Sequence, residues 1–206
     1  MEAPWIAGTS DAGASTRSPL PDRLLEAATR LFARQGFEGT SVAQIVEAAG
    51  VTKGALYHYF DSKDDLLHEI YARVLRMQLQ RLEELDSGTA GPAERLHAVA
   101  CDVIRTSIAN IDDTTVFQRS MHLLSPDKQR EFRAGRRVYH ERFRAIVREG
   151  QASGEFRSDV PADLALHYFF GCVHHLDTWY RPDGPVAASD VARHFADLLL
   201  AGLRPA

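Results

Sequence analysis

Apolar residues recur at three- and four-residue spacing along most of the chain, which is the period of an amphipathic α-helix. The first stripe starts near Pro21, which suits a first helical turn, and stops at Gly36. Its apolar members are Leu24, Leu25, Ala28, Leu31 and Phe32. No segment alternates apolar and polar residues long enough to predict a strand. The pattern therefore predicts an all-α protein with about nine helices.

Two short helices, joined by a glycine, are predicted after the first helix. Thr40 or Ser41 can cap the earlier one, and Gly50 supplies the tight turn that follows it. Thr52 can then cap the later one, which has the sequence KGALYHYF. This order of cap, helix, glycine turn and second cap predicts a helix-turn-helix domain over residues 20–66.

The later of these short helices has an inner and an outer face. Leu56 and Phe60, four residues apart, face inward. The outward positions are Lys53, Gly54, Tyr57 and His58. A helix in the major groove of DNA needs a small residue where the backbones approach closely, and donors that reach base edges or phosphates. We interpret Lys53 as the base reader, and the hydroxyl of Thr52 and the outward ring side chains as contacts to phosphate or sugar.

The charge balance limits how DNA could be bound. The 206 residues carry a net charge of −4, and residues 20–66 hold five basic and seven acidic side chains, a balance of −2. Any DNA contact must therefore come from placed residues and not from bulk attraction. Residues 1–19 are rich in small residues and proline without periodicity, which predicts a flexible arm. Since neither a membrane span nor a signal peptide is recognisable, we expect a cytoplasmic protein without a membrane partner.

The segment AATRLFARQGFEGTSVAQIVEAAGVTKGALYHYFDSKDDLL resembles the DNA-binding domain of the TetR family of transcriptional regulators. The likeness covers about residues 22–70 and keeps the elements G-F-x-x-T, A-G-V-x-x-G-x-L-Y-x-Y-F and S-K-x-x-L in register. It implies an all-helical homodimer that represses transcription from a palindromic operator. Its phosphate-gripping threonine would be Thr40 and its phosphate-contacting lysine Lys63. Its recognition-helix residues would be Thr52, Lys53, Gly54, Tyr57 and His58.

Residues 67–206 carry helical stripes that fit a ligand-binding and dimerisation domain. The helix-turn-helix domain of residues 20–66 is called the reading head below. A long fourth helix, capped by Ser62, connects it with a second core. The helix that starts at Pro161 is apolar almost all round as far as Tyr180, and the final helix carries Leu198, Leu199 and Leu200. A helix that is apolar on every side needs partners on every side, so these two helices are predicted to form a four-helix dimer interface.

The stretch GQASGEFRSDVPADLALHYFFG is similar to TetR-family regulators of fatty-acid, steroid or aromatic-acid degradation, several of which respond to acyl-coenzyme A thioesters. On this resemblance an acyl group enters an apolar cavity, with Arg133 and Arg137 near the coenzyme phosphates. The candidate lining residues are Ser107, Phe117, Met121, Tyr139, Phe143, Tyr168, Cys172, His175 and Trp179. Core packing and a solvated arginine face are the competing interpretations. The alternative effector is a lipophilic drug or another small apolar molecule.

Other functions stay open on the residues alone. His167 and His174 lie seven residues apart, which is too far for one metal ion on a helix, so no metal or cofactor is expected. No serine elbow, phosphate-binding loop or dinucleotide fingerprint appears, and we expect no enzyme. A helical-bundle hydrolase would have to use His174, His175 and Asp177. The third class is a helical adaptor that kept the fold and lost its operator.

Overall fold

The computed structural model describes residues 18–205, which fold into ten α-helices without a strand. The helices are α1 Leu20–Gln35, α2 Val42–Ala49, α3 Lys53–Tyr59, α4 Lys63–Asp86, α5 Pro92–Ala109, α6 Ile111–Ser120, α7 Pro126–Ser153, α8 Ala162–His174, α9 Leu176–Trp179 and α10 Ala188–Leu203. The all-α prediction is confirmed. The arm predicted for residues 1–19 lies, apart from its last two residues, outside the described part of the chain. No helix within the described part has the length and apolarity that crossing a bilayer needs.

Helices α1, α2 and α3 pack around a small apolar core. Leu56 has no solvent exposure and Phe60 very little, so α3 turns the two predicted side chains inward. Arg23 of α1 donates hydrogen bonds to the main-chain carbonyls of Ala49 and Gly50. These bonds tie α1 to the turn between α2 and α3 and set the position of α3.

The turns around α2 follow the predicted caps. Of the two candidates, Ser41 is the N-cap: its hydroxyl accepts from the N–H of Gln44, whose side chain accepts from the N–H of Ser41. Gly50 adopts the left-handed conformation with φ 64°, which glycine reaches without strain. The Thr52 hydroxyl accepts from the N–H of Ala55 and caps α3. The helix-turn-helix geometry therefore follows from local signals in the sequence.

Helix α4 is shared between the reading head and the C-terminal half. Ser62 caps it, as predicted, by accepting from the N–H of Asp65. The helix buries Leu66 near its start and Leu75 and Leu82 further along. The predicted domain boundary after residue 66 therefore falls inside one continuous helix. A displacement of α4 would be transmitted to both halves.

Helices α5 to α10 build a second, larger core together with the far end of α4. Phe143 stacks on Phe169 with ring centroids 5.4 Å apart. Gly150 lets the ring of Phe156 lie directly on α7, because a Cβ at residue 150 would be 2.2 Å from that ring. Such contacts give this half the close packing of a protein interior.

The helix predicted to run from Pro161 to Tyr180 is interrupted. It ends at His174, and α9 adds a single turn after the break. On the outer side of α8 and α10, Leu164, Tyr168 and Leu198 are between 58% and 62% exposed. These side chains form an apolar face that is open to solvent in the single chain.

Candidate nucleic-acid interface and effector cavity

The outer face of α3 presents the ring and ammonium groups that the sequence analysis assigned to DNA. Lys53, Tyr57 and His58 are exposed, and the Lys53 ammonium lies 5.7 Å from the centre of the Tyr57 ring. Tyr59 is 48% exposed and packs edge-on against His58. Tyr59 is an additional residue of this face that was not predicted, although its place next to the inward Phe60 indicates an outward ring. One small face thus combines a cation with aromatic groups that carry donors.

Gly54 lies on the same face of α3. A Cβ at residue 54 would meet only the hydroxyl of Thr52, at 3.9 Å, so the protein itself has room for a side chain there. At Gly135, by contrast, a Cβ would lie 2.8 Å from Leu75. The absence of a side chain at residue 54 is therefore not required by internal packing. It fits a surface that another molecule approaches closely.

Thr40 and Lys63 both contact the turn between α1 and α2. Thr40 is 1% exposed, and its hydroxyl donates to the carbonyl of Gly36 at 2.7 Å. The Lys63 ammonium donates to the carbonyls of Phe37 and Thr40 at 2.6 and 2.9 Å. Desolvation lowers the pKa of Lys63, against a raising influence of Glu38. In this conformation both side chains stabilise the turn, and the Thr40 hydroxyl does not reach the surface where a phosphate would bind.

A mainly apolar cavity of about 90 Å³ lies between α4, α5, α6, α7 and α8. Three of the predicted ligand residues line it, namely Ser107, Phe117 and Tyr139. Lining residues that the sequence analysis did not propose include Tyr71, Asp113, Arg136, His140, Phe170 and His174. Because five helices contribute to the lining, no single stretch of sequence reveals the cavity.

A wider cleft of about 370 Å³ adjoins the cavity along α7. Phe117, Phe132, Arg136 and His140 line both spaces and form the wall between them. The predicted residues Met121, Arg133 and Arg137 line the cleft only. A ligand could therefore place one part in the cavity and another in the cleft, across this wall.

The cleft is electropositive. Its charged lining residues are Arg133, Arg136, Arg137, Arg144 and Glu141. Glu141 and Asp163 both pair with Arg144. The other three arginines have no carboxylate partner within residues 18–205. Three positive charges thus remain available to a bound anion.

Arg136 is the cation at the wall between cavity and cleft. Its guanidinium lies 2.6 Å from Nε2 of His174 and 5.1 Å from the centre of the Phe117 ring. A guanidinium can only donate, so Nε2 accepts and the imidazole is neutral. Burial, followed by the charge of Arg136, lowers the pKa of His174 to about 3 and that of His140 to about 4. Partial burial also lowers the pKa of Arg136.

The remaining predicted ligand residues do not line the cavity. Phe143 is fully buried in the core behind it. An open groove on the outer side of α8 and α10 is lined instead by Tyr168, Cys172, His175 and Trp179. Because α8 is apolar on both sides, its sequence does not show which side faces inward. In the folded chain Phe170 and Val173 are the α8 residues with apolar side chains that reach the cavity.

Two side-chain contacts join α4 to α6 beside the cavity. The Tyr71 hydroxyl donates to the carbonyl of Val116 at 3.0 Å. Arg73 pairs with Asp113 at 2.8 Å. Tyr71 and Asp113 both line the cavity, so its wall is connected to the helix that begins in the reading head.

Further contacts reach the reading head from α6 and α7. Arg119 donates to the carbonyl of Ala33 in α1 at 3.4 Å. Lys128 at the start of α7 pairs with Asp64 at 2.7 Å and with Asp65 at 2.5 Å. A rearrangement around the cavity would change these contacts and the position of α1 to α3.

Two family models together match most of the chain. Residues 24–70 match the family described as "Bacterial regulatory proteins, tetR family", and residues 89–203 match "Tetracyclin repressor-like, C-terminal domain". The chain belongs to the TetR family of transcriptional regulators. In this TetR-family chain the first match covers α1 from residue 24 onwards, then α2, α3 and the start of α4. The second covers α5 to α10.

Relatives span nearly the whole TetR-family chain. The transcriptional repressor KstR2 of Rhodococcus jostii (strain RHA1) is 28% identical over 190 residues, which cover 92% of this chain and 93% of the relative. The structure of PfmR from Thermus thermophilus superimposes with a TM-score of 0.81 at 35% identity, covering 89% of this chain and 100% of that chain. AibR superimposes with a TM-score of 0.77 at 24% identity, covering 91% and 99%, which shows the fold alone.

The residues of the hydrolase hypothesis do not converge in this TetR fold. His174 lines the inner cavity, whereas His175 lines the outer groove. The two histidines therefore face different spaces. Among residues 18–205, no three His, Cys, Asp or Glu side chains are placed to hold a metal ion.

Proposed function

We propose that the protein is a ligand-responsive repressor that binds a palindromic operator as a homodimer. The outer face of α3 supports the DNA contact, with Lys53 reading bases and Tyr57 and His58 contacting phosphate or sugar. Gly54 allows α3 to approach the groove closely. Repression as the direction of control is supported by the KstR2 relatives, which are repressors.

The apolar outer face of α8 and α10 supports the homodimer. Leu164, Tyr168 and Leu198 are large apolar or aromatic side chains that a single chain leaves in water. A second copy related by a two-fold axis would cover them with the same face of its own. Two reading heads related by that axis read two inverted half-sites, which is why the operator is expected to be a palindrome.

The position of Arg136 carries the proposal for the effector. Arg136 is a partly buried cation without an acidic partner among the described residues, and a ligand that brings an anionic or strongly accepting group compensates its charge. The cavity on one side of Arg136 suits an apolar group, and the cleft on the other side, with Arg133 and Arg137, suits phosphates. An acyl-coenzyme A thioester combines these parts.

Two further points favour a thioester over a purely apolar drug-like effector. An uncharged apolar molecule would fill the cavity but leave Arg136 without compensation. The structure of AibR was solved in complex with isovaleryl coenzyme A and operator DNA, so this fold accommodates such a ligand.

The release mechanism needs only a difference in effector affinity between two arrangements of the dimer. A ligand in the cavity acts on α4 and α6, which are joined through the Tyr71 and Arg73 contacts. If the ligand binds more tightly to the dimer when its two reading heads are further apart, bound ligand lowers the affinity for the operator. A coupling of about 1–3 kcal/mol, or about 5- to 150-fold, is typical of such systems.

Selection of DNA from a random pool tests the operator proposal. The wild type should enrich a palindrome, Lys53→Ala should lose or relax it, and Arg148→Ala, which changes an exposed arginine of α7 far from α3, should enrich the same sequence. The protein is unfolded and refolded beforehand to remove any bound effector. No enrichment at physiological salt would instead favour the adaptor hypothesis, since non-specific binding alone is weak there.

A further inference from the structure

Two hydroxyl groups that face the effector cavity belong to buried residues and have no hydrogen-bond partner in the described part of the chain. Ser107 is 7% exposed and Tyr139 is 4% exposed, and both line the cavity but not the cleft. Neither hydroxyl makes a hydrogen bond to any group in the described part of the chain. The hydroxyl of Thr106, next to Ser107 in sequence, shows the usual situation: it donates to the carbonyl of Asp102 at 2.8 Å.

The chemistry of these groups defines what could satisfy them. Burial raises the pKa of Tyr139, so its phenol stays protonated and can donate. The Ser107 hydroxyl can donate or accept. Gln78 also lines the cavity and its amide makes no hydrogen bond within residues 18–205. A mainly apolar space therefore contains a few unsatisfied polar groups besides Arg136, as in pockets that orient a specific ligand.

We propose that the acyl group of the effector carries an oxygen function of its own, a ketone or hydroxyl, which binds to Ser107 and Tyr139. This inference rests on the proposed coenzyme A effector and adds the class of its acyl group. A ketone oxygen has two lone pairs and can accept two hydrogen bonds. A plain alkyl chain of the same length would exclude water from the Ser107 and Tyr139 hydroxyls without accepting a hydrogen bond from either.

The size of the discrimination follows from the cost of leaving buried polar groups unpaired. Sites built to hydrogen-bond a ligand group reject an analogue that lacks it much more strongly than apolar pockets reject an extra methylene. One unsatisfied hydroxyl already changes affinity by about tenfold. We therefore expect an oxygenated acyl group to bind at least about tenfold more tightly than its alkyl counterpart.

Calorimetric titration of the refolded full-length protein with matched thioesters tests this inference. The probes are pentanoyl-coenzyme A and its 4-oxo, 4-hydroxy and 5-hydroxy derivatives. For the wild type, at least one oxygenated probe should show the preference stated above. The double variant Ser107→Ala with Tyr139→Phe removes only the two hydroxyls. Its ratio of affinities, oxygenated thioester to pentanoyl-coenzyme A, should fall towards one. Thr106→Val, which removes a hydroxyl that is already bonded, should keep the wild-type ratio.

The possible failures are distinguishable. If all four thioesters bind the wild type equally, ordered water satisfies the hydroxyls and the inference is wrong, while the coenzyme A effector stands. If the double variant prefers the oxygenated thioester as strongly as the wild type does, the inference is also wrong and the coenzyme A effector again stands. If no thioester binds, the proposed effector class is wrong and this inference fails with it.

Discussion

The phenolic oxygen of Tyr71 lies 3.0 Å from the main-chain carbonyl oxygen of Val116, and this hydrogen bond joins α4 to α6 at the wall of the cavity. Helix α4 starts next to α3, so the bond connects the wall of the cavity to the helix that follows the helix-turn-helix. Burial raises the pKa of Tyr71, which keeps the phenol protonated as a donor.

Tyr71→Phe should weaken the connection between effector and operator. The variant loses one buried hydrogen bond, and we expect the free energy of unfolding to fall by about 1 kcal/mol in urea titrations. The factor by which a thioester lowers operator affinity should shrink, since the cavity wall and α4 are less tightly joined. Tyr180→Phe, a buried phenol outside the cavity, serves as control. An unchanged effector response in Tyr71→Phe would show that coupling runs through other contacts.

Substitution of Lys63 should lower the stability of the protein, whereas substitution of Lys53 should lower its affinity for DNA. Lys63→Met removes an ammonium that bonds to two carbonyls in the turn before α2, and should lower the free energy of unfolding by about 1–2 kcal/mol. Lys53→Met removes an exposed ammonium and should leave unfolding unchanged while weakening operator binding. If Lys53 contacts phosphate instead of a base, the salt dependence of binding should lose about one unit of slope with no change of sequence preference. Equal stability losses in both variants would show that Lys63 has no special role in the turn.

Leu198→Glu should prevent dimerisation. It places a charge in the apolar face of α10, which the proposed two-fold contact removes from water. Sedimentation velocity should show a monomer at concentrations where the wild type is a dimer, and operator affinity should fall because a monomer reads one half-site. Val138→Glu changes an exposed apolar residue of α7 and should keep the dimer. A dimeric Leu198→Glu protein would place the interface elsewhere.

Acid should destabilise the protein partly through His174 and His140. Their folded-state pKa values of about 3 and about 4 lie below the ordinary value of 6.5, so between these limits the unfolded chain binds more protons. The free energy of unfolding therefore falls as pH falls, by up to about 1.4 kcal/mol per pH unit for each histidine. Between about pH 6 and pH 4.5, the free energy of unfolding of His174→Asn should fall less steeply than that of the wild type. The difference in slope should correspond to the uptake of up to one proton. His122→Asn, an exposed imidazole, is the control; equal slopes in both variants would mean that His174 is protonated without cost.

Much of the reading head could be predicted because its signals are local. A cap, a left-handed glycine and a second cap fix the positions of α2 and α3, and the inward pair Leu56 and Phe60 then fixes which side of α3 is free. The direction of the Lys63 side chain could not be predicted. It depends on where the carbonyls of the turn before α2 lie in space, which neighbouring residues in sequence do not show.

The cavity was harder to predict because five helices line it. One signal was nevertheless present: Arg136 is four residues after Phe132 and three before Tyr139, so it lies on the buried stripe of α7. Arg133 directly follows Phe132, and Arg137 directly follows Arg136. One residue turns the helix by about 100°, so both arginines point towards the cleft. Helical periodicity applied to the arginines themselves would have selected Arg136.

The most direct test of the proposed function measures operator affinity by fluorescence anisotropy with and without short acyl-coenzyme A thioesters. At least one of isovaleryl-, pentanoyl- and 4-oxopentanoyl-coenzyme A should weaken operator binding of the wild type by about tenfold or more, whereas free coenzyme A should have little effect. Arg136→Gln should still bind the operator but respond much less, and Arg148→Gln should respond as the wild type does. A wild type that none of the three thioesters affects, or an Arg136→Gln protein that responds fully, would rule out the effector site described above.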